Sequence, residues 1–352
     1  MKDEMRPPTT PHGFTDEVTL EQALAAPSPA LVKDLRSRSG DLVILGAGGK
    51  MGPSLARLAR AGLDAAGRSG DAVYAVSRFP SQELRRSLAG SGVMVLPLDL
   101  IEEDDLSALP DAAEVIHLVG AKFGAGHNQA WAWEVNTALP GRVARRYRGS
   151  RVATLSTGNV YPFVTPESGG ATETTPPAPV GEYAQSCLGR ERVFEFAARS
   201  WGTPLSVIRL NYAIDLRYGV LADIASCVVA GKPVPLATGY VNVVWQGYAN
   251  EVVLRSLGHA SPEVFTLNVT GPELLEVRQV AHRFAELFGR EARFTGSLEA
   301  TALLSDATRC LELFGRPEVT ASQLIEWQAA WIRDGLPVLG KPTKWAVRDG
   351  KF

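Results

Sequence analysis

Two hydrophobic periodicities alternate along this chain, and the alternation gives its architecture. Leu42 to Leu45 is a short unbroken aliphatic run, the pattern of a strand buried on both faces of a parallel sheet. It breaks at Gly46 and, past Gly49, Gly52 and Pro53, resumes with helical spacing over the alanine- and leucine-rich stretch Leu55 to Ala66. Similar runs at Ala72 to Ser77, Val93 to Leu98, Glu114 to Val119, Arg151 to Leu155 and Leu205 to Leu210 predict further strands. A helix is predicted from about Asn128 to Arg146, and helical patterns recur at Leu275 to Leu287 and Ser322 to Arg333. The fold class is therefore α/β, a doubly wound parallel sheet of Rossmann type with a smaller C-terminal α/β substrate lobe.

The same pattern divides the chain. Residues 1–40 read as an N-terminal arm and helical extension, in which Leu20, Leu24, Leu31 and Leu35 line one or two short helices interrupted by Pro27 and Pro29. Residues 41–210 form the dinucleotide-binding domain, and 211–335 are mainly substrate lobe, with strand exchange into the first domain left open. Residues 336–352 are a basic, aromatic tail that folds over the crevice, enters a homodimer partner or docks on the surface.

Composition adds exclusions. Apolar residues make up 45% of the 352 and charged ones 21%, with a formal charge of -2, an ordinary globular balance without the basic stripe of a nucleic-acid binder. Cys187, Cys227 and Cys310 lie far apart, which argues against a zinc site or a disulfide framework and fits a reducing cytoplasm. No apolar run has the length a bilayer requires, so neither export nor a membrane span is expected.

The candidate chemistry starts at the glycine turn. Gly46-x-x-Gly49-x-x-Gly52, which includes Lys50 and Met51, reads as a strand, a tight turn and a helix whose free N–H groups face a pyrophosphate. The common G-x-G-x-x-G spacing would need glycine at Met51. The second strand ends at Ser77 and Arg78, where an acidic residue would favour NAD; a hydroxyl and a cation suit a 2'-phosphate, with Lys50 as helper, and tilt the cofactor from NAD toward NADP. Asp99, beside Leu100, is placed to accept from an adenine amino group. Val119, Gly120 and Lys122 follow the fourth strand at its carboxyl end, where open α/β sheets bind ligands. His117 reads as a core or strand-end histidine. Ser156 and Thr157, with Asn159 and Tyr161 after them, close the fifth strand, and Tyr183 opens the following helix. Hydroxyl and phenol can converge there to move a proton at a carbinol oxygen while hydride moves at the adjacent carbon.

With these residues the chain resembles the extended short-chain dehydrogenase/reductase family of nucleotide-sugar epimerases and dehydratases, over roughly Leu42 to Trp331. The likeness rests on the glycine turn, Asp99-Leu100, His117 to Ala121, Asn136-Thr137, Ser156 to Tyr161 and Tyr183-x-x-Ser186. It implies that Thr157 orients the substrate, Tyr183 is the acid/base, Asn136 supports the site and Lys122 contacts the cofactor. It also makes Asn159, Tyr161, Arg209, Asn211 and Arg217 candidates for substrate contact and Phe265 to Val269 a late strand. Gln246 and Gly247 replace the acidic residues of the family's V-D-D-V-A-like turn.

One departure is large: the family's Y-x-x-x-K is here Tyr183-x-x-x-Cys187. The family lysine holds the nicotinamide ribose and, as a fixed cation, lowers the tyrosine pKa. Arg190, on the same helical face, could replace that cation; Lys122 could approach from the neighbouring strand end; or the tyrosine stays protonated and the chemistry changes. A nucleophilic Cys187 is a further option, without a histidine nearby in sequence to activate it. The expectation is an NAD(P)-dependent oxidoreductase or epimerase acting on a hydroxylated, sugar-like small molecule. Against it stand a non-redox isomerase or lyase and a dinucleotide-binding regulatory protein.

Overall fold

The computed structural model describes residues 13–102, 106–122 and 128–351. Seven strands form one parallel sheet: β1 (Leu42–Leu45), β2 (Val73–Ser77), β3 (Met94–Pro97), β4 (Glu114–His117), β5 (Arg151–Thr157), β6 (Leu205–Leu210) and β7 (Phe265–Val269). Their spatial order is β3-β2-β1-β4-β5-β6-β7. The chain runs outward from β1 to β3 and then returns to lay β4 on the other side of β1, so the order reverses between β1 and β4. Ligands of such sheets sit above the carboxyl ends at that reversal. Leu45 is in register with both Val76 and His117, which brings the ends of three strands to one crevice.

The helices, in chain order, are α1 (Glu17–Leu24), α2 (Pro29–Arg36), α3 (Gly52–Ala65), α4 (Gln82–Gly90), α5 (Gln129–Trp133), α6 (Leu139–Arg146), α7 (Gly181–Trp201), α8 (Val220–Val229), α9 (Gln246–Ser256), α10 (Val277–Phe288), α11 (Thr308–Phe314) and α12 (Ala321–Arg333). Helix α3 starts with proline in its first turn, where a missing N–H costs nothing. Helix α12 starts on a reciprocal capping box between Thr320 and Gln323. Among the described residues no helix is long and apolar enough to cross a membrane.

The N-terminal extension is shared between two cores. Leu31 and Leu35 of α2 pack with Leu42, Ile44 and Leu55 under the sheet, whereas Leu20 and Leu24 of α1 pack with Ile224, Phe284, Trp327 and Trp331 of the C-terminal lobe. The chain after residue 210 is likewise divided, since β7 pairs with β6 in the central sheet while α8, α10 and α12 build the lobe.

The helix expected over Asn128 to Arg146 is interrupted by a π-helical turn, Glu134–Ala138. Pro140 has no N–H to donate to the carbonyl of Asn136 four residues earlier, which weakens the regular ladder at that point. The freed Asn136 carbonyl accepts instead from Nε of Arg190 on α7, at 3.4 Å.

Candidate functional site

Two connected hollows lie above the strand ends. The outer groove, about 760 Å³, is bordered by Gly46, Gly48, Gly49, Ser77, Arg78, Asp99 and Leu100 and continues along Val119, Gly120 and Lys122. The inner cavity, about 290 Å³, is bordered by the same glycine turn, Met51 and Gly52, by Thr157, Asn159 and Tyr183, and by residues of the β6–α8 connection. Lys50, Lys122, Gly120 and Tyr218 border both.

The glycine turn is shaped for close approach. Gly46 has φ +86°, and a Cβ there would lie 2.8 Å from the backbone nitrogen of Val119. A Cβ on Gly52 would run into the backbone of Ala47. Only glycine lets β1, the turn and the 14-residue α3 pack this tightly, with the turn bordering both hollows and the helix start bordering the inner one. That cradle, a groove of about 760 Å³ and a hydroxyl and guanidinium on its wall fit a nicotinamide dinucleotide. Arg78 is 70% exposed there, with Asp99 at 3.9 Å.

At the inner end, Thr157 closes β5 and its hydroxyl is in hydrogen-bond contact with the Tyr183 phenol and, at 3.0 Å, with Asn159 Oδ1. Tyr183 lies in the first turn of α7. Burial pushes its phenol above the ordinary tyrosine range and the neighbouring Cys187 adds to this; Arg190 and the Thr157 hydrogen bond oppose the shift without reversing it. Tyr183 is therefore a neutral phenol at physiological pH. The Cys187 thiol is buried, its pKa is raised by that burial, and it packs with Val160, Tyr161 and Ala171 outside the cavity wall, which removes the nucleophile reading.

Arg190 is fixed rather than mobile. Its Nη2 donates to Asn136 Oδ1 at 2.7 Å and its Nη1 to the Leu155 carbonyl. Asn136, fully buried in the π-helical turn, accepts from Ala121 N at 2.8 Å and donates to the Ala121 carbonyl and to Ser186 Oγ, both at 3.0 Å. It braces the loop before Lys122 without bordering either hollow. Lys122 donates to the Thr343 carbonyl at 3.1 Å and lies 5.9 Å from the centre of the Tyr183 ring; burial lowers its pKa to about 8. His117 is enclosed against Phe194, and its pKa is pushed well down by burial, so it is a neutral core histidine.

Four further candidates move away from the chemistry. Ser156 reaches the cavity wall, but its hydroxyl donates to Glu191. The carboxylate of Glu191, fully buried, also receives Arg209 twice, at 3.1 and 2.7 Å, and Arg209 donates to the Tyr161 hydroxyl, which donates to Asn268. Buried charges and phenols of this kind are satisfied by one another, so Arg209 and Tyr161 tie α7, β6 and β7 together. Arg217 pairs with Asp215 and Glu21 and joins the lobe to α1. Asn211 does border the cavity, with its amide donating to Asn242 and the Leu303 carbonyl. Among the described residues no cluster of three or more His, Cys, Asp and Glu is arranged to hold a metal.

The sequence did not mark Tyr212, Tyr218, Val220, Lys341 and Thr343 as wall residues. Thr343 and Lys341 come from the tail, which folds back as a strap over the crevice. Thr343 donates through N–H and hydroxyl to Asp223 at 2.8 and 2.6 Å; Trp345 is buried in the lobe core; Arg348 lies over Phe163 at 4.2 Å. Gly350 then packs on Val180 and Gly181 at the start of the Tyr183 helix.

The model of the NAD dependent epimerase/dehydratase family matches residues 42–233. No curated protein sequence matches the chain. Among solved structures, UDP-glucuronic acid 4-epimerase from Bacillus cereus with NAD superposes with a TM-score of 0.71 at 16% identity, covering 83% of this chain and 98% of the other. UDP-glucose 4-epimerase from Thermus thermophilus with NAD gives 0.67 at 20%, covering 83% and 99%. UDP-glucose 4-epimerase from Thermotoga maritima with UDP-glucose gives 0.66 at 17%, covering 84% and 99%.

Proposed function

Since the chain belongs to the NAD dependent epimerase/dehydratase family, we propose that it binds a nicotinamide dinucleotide in the outer groove and modifies a hydroxylated, sugar-like small molecule in the inner cavity. The observation that carries this reading is the contact of Thr157 and Tyr183 at the cavity wall beside the glycine turn. The bound dinucleotide supplies hydride transfer at a substrate carbon. Thr157 holds the reacting oxygen, and the neutral Tyr183 phenol gives it a proton as the carbonyl becomes a hydroxyl. In the opposite direction Tyr183 must first lose its proton. The fixed charge of Arg190 and the ammonium of Lys122 are the groups that favour this, standing where the chain has Cys187 in place of lysine.

The choice of dinucleotide leans to NADP over NAD. Ser77, Arg78 and Lys341 border the groove, and Asp99 is the only acidic side chain among its described wall residues. A second reading, a non-redox isomerase or lyase on the same scaffold, is favoured by the raised pKa of Tyr183. Tyr183→Phe tests the first. Turnover should fall by about 10²–10⁴-fold, the usual share of a positioned acid/base, while dinucleotide affinity stays unchanged. Full activity in that variant overturns the assignment, and transfer of deuterium from solvent rather than from substrate carbon selects the non-redox route.

A further inference from the structure

The inner cavity has an uneven charge. Its described wall includes three basic side chains, Lys50, Lys122 and Arg190, and no acidic one. Arg190 is committed to Asn136 and Leu155. Lys50 stands differently. Its ammonium donates to the Ala213 carbonyl at 2.7 Å and lies 4.4 Å from the centre of the Tyr218 ring, and among the described residues no carboxylate pairs with it. The nearby carboxylates are both occupied, Asp215 Oδ2 by Arg217 at 2.9 Å and Asp223 Oδ2 by two donors of Thr343. An ammonium has three donors, and one carbonyl with an aromatic face compensates only part of its lost hydration. A cation held out of water with no carboxylate in contact is costly.

The space in front of Lys50 is also small. The strap residue Thr343, with Tyr212, Tyr218 and Val220, borders the cavity, whose volume of about 290 Å³ is at the lower end of ligand pockets. We infer that this cavity takes a compact carboxylate-bearing substrate, whose carboxylate is received by the Lys50 ammonium, in place of a nucleotide-linked sugar. The inference deepens the proposed function and rests on it. The rival anion for Lys50 is the diphosphate of the dinucleotide, since Lys50 also borders the outer groove. That diphosphate already has the glycine turn and the α3 N-terminus, whereas Lys50 leans across the cavity onto the β6–α8 connection.

The test compares the full-length protein with Lys50→Met, each first titrated with NADPH and NADH by fluorescence and then, with the tighter dinucleotide bound, with malonate, glycerate and the neutral malonamide. A thermal melt checks that the variant folds. Malonate or glycerate should bind the wild-type complex and malonamide should not. In Lys50→Met carboxylate affinity should fall at least about tenfold, the scale of one lost charge-assisted contact, a larger loss than any in dinucleotide affinity. Equal carboxylate binding in both proteins, binding of neither carboxylate by the wild type, or a loss in Lys50→Met confined to the dinucleotide overturns the inference. Failure of the wild type to bind either dinucleotide would instead overturn the proposed function itself.

Discussion

At the scale of single residues the site is governed by burial more than by sequence motif. Tyr183 and Thr157 could be read from their order behind a glycine turn, but the raised pKa of the phenol comes from enclosure and from Cys187, and enclosure is a property of the folded chain. Lys50 and Lys122 show the same effect with opposite sign, each lowered to about 8 by burial. Between pH 8 and the lysine range near 10.4 the unfolded chain keeps protons that the folded chain has released, so these two groups make stability rise with pH in that window. Around Lys50 the charges that modulate this are Asp215 and Asp223, which hold its proton, and Arg217 and Lys122, which oppose it. Three cysteines with raised pKa act the other way, so the difference between wild type and Lys50→Met is the useful quantity. At pH 7 Lys50→Met should be the more stable protein, by about 1–3 kcal/mol in chemical denaturation, and the gap should close by pH 10. A pH-independent gap would mean that the ammonium is solvated.

At the scale of elements, the strand-turn-helix start was legible because its constraints are local: an aliphatic run, glycines at fixed spacing and proline in a first turn. Gly52 and Gly49 separate those constraints. A Cβ at Gly52 meets the Ala47 backbone, while one at Gly49 meets only the Gly46 carbonyl, at 3.3 Å. Gly52→Ala should cost about 1–3 kcal/mol through forced backbone movement and weaken dinucleotide binding; Gly49→Ala should do less of both in parallel titrations. Equal effects would place the requirement elsewhere. The π-helical turn was not legible. Pro140 signals a disturbed helix, but whether such a helix kinks or takes up an extra residue depends on Arg190, fifty positions later, donating to the freed carbonyl. The candidacy of Arg209 failed for a similar reason, because nothing near it in sequence announces Glu191 as its buried counter-charge.

The whole molecule is held together by its two ends. Helices α1 and α2 contribute leucines to separate cores, and the strap spans from the lobe to the start of α7. Composition marked the tail as basic and aromatic but left its destination open, since that depends on partners such as Asp223 and Gly181 that are distant in sequence. Gly350 has φ +71° and a Cβ there would run into the Val180 carbonyl, so Gly350→Ala should release the strap end while Trp345 stays buried. Hydrogen exchange over residues 343–350 and the first turn of α7 should then accelerate; unchanged protection would show that the glycine contact is dispensable.

The strap contributes Leu339 and Lys341 to one hollow and Thr343 to the other. A single short segment thus borders both hollows, so that under the proposed function any displacement of the strap alters the surroundings of dinucleotide and substrate together.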